Sequence, residues 1–175
     1  MRLLPFLLVF LQNQTFKRGL ELIRSSEFEK ADSLLMQSYF EADQLDKNDI
    51  LMVIEILNDY RDPSDLKFLS GYYLALYFGE NVVPHSYSTQ EKNSLITYVE
   101  LLNALQSKPV DISVAIQQVE MIDDPLLKFH GAILVVRKFK DVERTACRDL
   151  IQKLVKEYPQ TPYSEVVQGY LEILK

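Results

Sequence analysis

Apolar residues recur along this chain at steps of three and four, and that period decides which elements it can form. In the last segment Tyr163, Val166, Val167, Tyr170, Leu171 and Leu174 fall on one face of a helix, whereas a strand would need strict alternation. Start signals divide the pattern into pieces. Asp62-Pro63, Asp124-Pro125 and Thr161-Pro162 each place an N-cap residue before a proline at the first helical position, where its missing N–H is harmless. Ser26-Glu27-Phe28-Glu29 and Ser88-Thr89-Gln90-Glu91 fit the capping box, in which a serine and a glutamate three residues on satisfy the first amides of a helix. These signals predict helices over 15–25, 27–43, 47–60, 63–78, 89–106, 111–122, 125–139, 141–158 and 162–174. Connections are mostly two to four residues, so neighbouring helices run antiparallel. The stretch 79–88, GENVVPHSYS, is the one substantial loop expected, and no strand is expected.

With 47% hydrophobic and 25% charged residues but only five Gly and seven Pro in 175 residues, the chain has the composition of one packed domain, expected over 15–175. A net charge of -6 argues against a protein that neutralises phosphates, so no nucleic-acid partner is expected. Charge is uneven along the chain. Residues 41–65 hold eight carboxylates against Lys47 and Arg61, while Lys128, Arg137, Lys138, Lys140, Arg144, Arg148, Lys153 and Lys156 make a later stretch basic. The single cysteine, Cys147, allows neither an intrachain disulfide nor a cysteine-based zinc site.

Residues 1–14 admit two readings. One Arg2 precedes an apolar run from Leu3 to Leu11, long enough for the core of a signal peptide and about half the length of a membrane-spanning helix. The same run reads as an apolar first helix, interrupted by Pro5, that docks on the rest. The first reading places the protein outside the cytoplasm and the second leaves it inside; membrane association is expected only through these residues.

Helices of this length joined tightly in pairs suit a helical solenoid, because one hairpin cannot bury its own apolar face until another stacks on it. The segment 19–39, GLELIRSSEFEKADSLLMQSY, resembles a tetratricopeptide repeat: small Gly19 and apolar Leu22 in the first helix, a turn at Ser25-Ser26, Phe28 opening the second helix, small Ala31 at the crossing, and Leu35 one turn later. A second match runs from Gly131 through Ala146 and Leu150 to Lys-Glu-Tyr-Pro at 156–159, and a third lies around Ala115. There is no tryptophan, the repeat spacing is irregular, and Leu66 to Phe78 lacks the small crossing residue, so the repeats are degenerate. The resemblance implies an all-α, right-handed helical-hairpin solenoid of about nine helices, with a protein or peptide partner lying in a groove lined by the first helix of each pair. By that alignment Lys128 and Lys138 are the groove residues expected to meet an acidic partner. The ending LVKEYPQTPYSEVVQGYLEIL is similar to exported bacterial members that serve outer-membrane assembly or cell-envelope complexes.

Chemistry is sparse. The chain has no Gly-rich phosphate loop, no nucleophile elbow and no paired histidines at metal spacing. Cys147 and His130 are the one nucleophile and base that could pair, but Cys147 lies beside Ala146 and one turn from Leu150, which also fits a small core residue. Asp124 of the Asp123-Asp124 pair serves better as an N-cap than as an acid. Phe68, Tyr72, Tyr73, Tyr77 and Phe78 crowd one helix as core, or else turn Tyr73 and Tyr77 toward a partner as contact residues. No catalytic, cofactor or metal residue is assigned. The expected function is a non-enzymatic protein–protein interaction scaffold; the alternative is a structural subunit anchored in a larger assembly by its apolar N-terminal segment.

Overall fold

The computed structural model describes residues 13–81, 94–107 and 109–175, and among them every regular element is an α-helix. In chain order these are α1 (Gln14–Arg24), α2 (Phe28–Glu41), α3 (Gln44–Asp59), α4 (Pro63–Phe78), α5 (Ser94–Gln106), α6 (Ile112–Met121), α7 (Pro125–Phe139), α8 (Arg144–Glu157) and α9 (Pro162–Ile173). Six of them open on a side chain that accepts a backbone N–H: Asn13, Asp43, Asp62, Asp111, Asp124 and Thr161. All three proline starts occur where the sequence places them. The apolar run at 3–11 and the capping box at Ser88 lie outside the described residues.

The capping box expected at Ser26 does not form. Ser26 adopts φ 68°, a left-handed conformation, its N–H reaches the Ile23 carbonyl at 2.9 Å, and the Glu27 N–H reaches Leu22 at 2.8 Å. That pair of bonds is a Schellman ending for α1, usually built on glycine. Ser26 is therefore spent on closing one helix, and α2 begins at Phe28 after Glu27, which makes no side-chain cap. A similar competition shortens α8, expected from 141: the Val142 and Glu143 N–H groups bond back to Phe139 and finish α7, so α8 starts at Arg144.

The chain divides into two compact units, Met1–Ser86 and Tyr87–Lys175. In the first, α1 packs against both α2 and α4, and α2 packs against α3. The α1–α2 crossing is close because position 19 has no side chain. A Cβ placed on Gly19 would stand 2.7 Å from Leu35 Cδ2 and 2.9 Å from its Cγ. Fully buried Phe16 meets Tyr77 edge-on at 5.9 Å, and Glu80 accepts Lys17 at 3.1 Å and Arg24 at 2.9 Å, tying the end of α4 to α1.

In the second unit α7 is central, packed on α5, α6, α8 and α9, with every residue from Leu126 to Arg137 buried. Burying each of its larger apolar side chains contributes roughly 1.5–3 kcal/mol, which makes α7 the main hydrophobic support of the unit. A Cβ on Gly131 would approach Leu101 Cδ2 at 2.7 Å, but its next neighbour is 3.5 Å away. Ser94 Oγ accepts the N–H groups of Asp123 and Asp124 at 3.1 and 3.0 Å, fixing the α6–α7 turn to the start of α5. From α8, Arg144 and Arg148 donate to the carbonyls of Ile173 and Leu174, satisfying acceptors at the end of α9 that have no intrahelical partner.

Three glycine-to-alanine substitutions should separate in urea denaturation. In all three, alanine gains up to about 1 kcal/mol of helix propensity. Gly169→Ala, with nothing within 4 Å, should keep that gain. Gly131→Ala should be near neutral, because only the flexible end of Leu101 must move. Gly19→Ala should lose about 1–2 kcal/mol net, because the branch point of buried Leu35 must shift. Ser26→Gly should stabilise by about 1 kcal/mol through relief of its left-handed backbone, read as a raised denaturation midpoint.

Candidate functional site

The helix period sets an apolar stripe on each of two neighbouring helices, and between them the first unit leaves a groove. Phe28, Asp32, Leu35 and Met36 lie along one face of α2, and Ile54, Leu57, Asn58 and Arg61 form the facing row at α3 and its end. Ile23 from α1 closes one side, and Pro63 and Leu66 from α4 close another. The cavity is about 460 Å³, within the range of binding clefts. Most of its apolar lining is nearly buried, with Ile23 at 3% and Leu35 at 2%, but Met36 is 44% exposed. Methionine is unbranched and polarizable, and suits a surface that must adapt to another apolar face.

Charge lies at the lip. Asp32 and Arg61 are both exposed lining residues. The Arg61 guanidinium is held by the end of α3, its Nε donating to the Asn58 carbonyl at 2.9 Å and Nη2 to Asn58 Oδ1 at 3.4 Å. Asp62 caps α4 beside it, and hydrogen bonds from the Ser64 hydroxyl and N–H hold its carboxyl below the usual carboxylate range.

The residues singled out for a partner lie elsewhere. Tyr73 and Tyr77 are 0% and 4% exposed on α4, their rings 6.2 Å apart, so they belong to the core and correct the reading that turned them outward. Lys128 is corrected likewise: it is 7% exposed, with its ammonium 5.5 Å over the Tyr158 ring and 3.4 Å from the Tyr158 hydroxyl. The side chain is buried, and the tyrosine meets its charge. Lys138, on the same helix, is half-buried. Conversely, the sequence names Phe28 and Leu35 as repeat positions without showing that Met36, Ile54, Leu57 and Leu66 border an open space. The signal available was the nine-residue stretch from Phe28 to Met36, with its apolar residues on one face.

The Cys147–His130 pair does not have the character of a nucleophile and its base. His130 is fully buried, its Nδ1 lies 2.5 Å from the Tyr98 hydroxyl, and burial together with the nearby Arg137 charge pushes it down to about 3. Burial, reinforced by Glu143, pushes the Cys147 thiol up to about 11. At neutral pH the thiol is protonated and the imidazole neutral. Among the described residues no group of three or more His, Cys, Asp or Glu side chains is placed to hold a metal, and no helix is long and apolar enough to cross a membrane. No protein-family model matches the chain, and comparisons with curated proteins and with solved structures return no match.

His130 gives the fold a pH dependence of definite sign. Its folded pKa of about 3 lies below the ordinary 6.5, so its contribution is complete above pH 6.5 and is lost as pH falls toward 3, because only the unfolded chain takes up the proton. Between pH 6.5 and 5, above the carboxylate range, stability should fall with a slope approaching about 1.4 kcal/mol per pH unit. Urea denaturation of His130→Phe across that window should show a flatter profile on a lower baseline. An unchanged slope would remove His130 as the cause.

Proposed function

We propose that the protein is a non-enzymatic interaction scaffold of tetratricopeptide-like type, which binds an apolar segment of a protein partner in the groove between α2 and α3. The observation that carries this reading is the groove itself: two helical stripes facing a 460 Å³ space, with Met36 left 44% exposed at its edge. The repeat-like character draws support from two packing features. Gly19 admits Leu35 within one hairpin, and in the second unit α7 packs on the alternate helices α5 and α9 as well as on its sequence neighbours α6 and α8. That second pattern is what stacked hairpins produce. The first unit pairs differently, α4 packing on α1 and α3 on α2, so the groove opens on α2 and α3 rather than along a row of first helices.

The groove geometry also suggests the form of the bound segment. From Phe28 to Met36 the α2 stripe runs about 12 Å at 1.5 Å per residue, two turns of helix. A partner helix with apolar residues at i, i+4 and i+7 matches that span.

Selection of displayed helical peptides against the full chain provides the test. Met36→Glu places a charge at an exposed lining position and should weaken selected binders at least about tenfold, as expected for loss of an anchor. Val142→Glu, at a 74% exposed position of the second unit, should leave them unchanged. Equal binding by both variants, with helical circular dichroism intact, would place the interaction outside the groove.

A further inference from the structure

Resting on that reading of the groove, we infer that its occupant is a basic amphipathic helix. Between residues 28 and 66, which supply α2, α3 and the start of α4, the chain holds ten carboxylates and three cations, a net -7 against -6 for the whole protein. The remaining residues therefore carry a net of +1. The acidity of this protein is concentrated where the groove is built.

Of the three cations, Lys30 pairs with Glu27 at 2.6 Å and Lys47 lies 5.9 Å over the Tyr39 ring, while Arg61, hydrogen-bonded to the neutral Asn58, keeps its charge at the groove lip. Asp32 lines the groove together with Arg61, while Glu29 on α2 and Asp59 on α3 lie on the same helices outside its lining; all three carboxylates are exposed and make no ion pair among the described residues. A trough built from a segment of net -7 favours, through the field of that segment, a partner whose apolar stripe is bordered by lysine or arginine. A glutamate-bordered stripe of the same shape would meet repulsion. Because the charges are exposed, their effect should be sensitive to salt, with a screening length of about 10 Å at 0.1 M and 3 Å at 1 M.

Three synthetic helical peptides test this on the full chain by fluorescence anisotropy: leucines at i, i+4 and i+7 with lysines elsewhere, the same leucines with glutamates, and the lysine peptide with its leucines replaced by alanine. The lysine–leucine peptide should bind at least about tenfold more tightly than its glutamate twin at low salt, and the gap should shrink at high salt. Asp32→Lys combined with Asp59→Lys, both at exposed positions, should narrow the same gap. Met36→Glu should weaken binding even though it adds negative charge, which separates docking in the groove from loose attraction to an acidic surface. If both leucine peptides bind equally and Met36→Glu weakens both, the groove reading stands and the charge inference is overturned. Binding of neither, or of the alanine peptide as well as its leucine counterpart, would overturn the groove reading and this inference with it. Met36-dependent binding to anionic lipid vesicles in place of the lysine peptide would also overturn it.

Discussion

The absence of a side chain at position 19 decides the geometry of the first unit. Leu35 occupies the space where a Cβ on α1 would project, so α1 and α2 cross at a distance that ordinary residues would not permit. With one face of α2 drawn in against α1, the adjoining stripe of Phe28, Asp32 and Met36 is directed toward α3 and partly open. The groove follows from the close crossing. A wider crossing would rotate or lift α2 and change the width of the space facing Ile54 and Leu57. Packed interiors transmit such shifts because they contain little free volume.

Much of the helical architecture was legible in the sequence. The bounds of α4 and α7 come directly from the Asp-Pro starts and the run of apolar residues behind them, since a proline at the first helical position and a carboxylate before it satisfy local requirements without help from the rest of the fold. The miss at Ser26 has a physical cause: one residue cannot both close α1 in a left-handed conformation and cap α2, and the tertiary turn favours the first use. Burial was less legible. A tyrosine at helical spacing reads the same whether packed in the core, as Tyr73 is, or presented to a partner. The period of Phe28 and Leu35 shows which face of α2 is apolar, but not that the neighbouring Met36 stands at an uncovered edge. Coverage depends on how α3 and α4 are arranged, and no local pattern encodes that.

Polar groups in the second unit contribute to its structure in the same physical terms. The hydrogen bond between Tyr98 and His130 satisfies two polar groups at one buried location, and Arg137 donates to the Tyr170 hydroxyl at 3.3 Å with its guanidinium 5.9 Å from that ring. Buried polar groups with partners specify how helices register against one another, since an apolar interior alone tolerates sliding. Cys147 among Leu150 and Ile151 behaves as a small apolar side chain. The titratable groups that first suggest chemistry are thus held in forms suited to packing.

Glu80 gathers Lys17 and Arg24 around a single carboxylate at the junction of α1 and α4. With all three side chains partly exposed, this cluster contributes little at room temperature, where isolated surface pairs are worth about 0–1 kcal/mol. Warming changes the balance, because water solvates ions less favourably as temperature rises and the penalty for drawing the charges together falls. The junction should therefore retain its hold while fraying proceeds at helix ends lacking such a clasp, leaving α1 and α4 as the seam around which a heated first unit comes apart last.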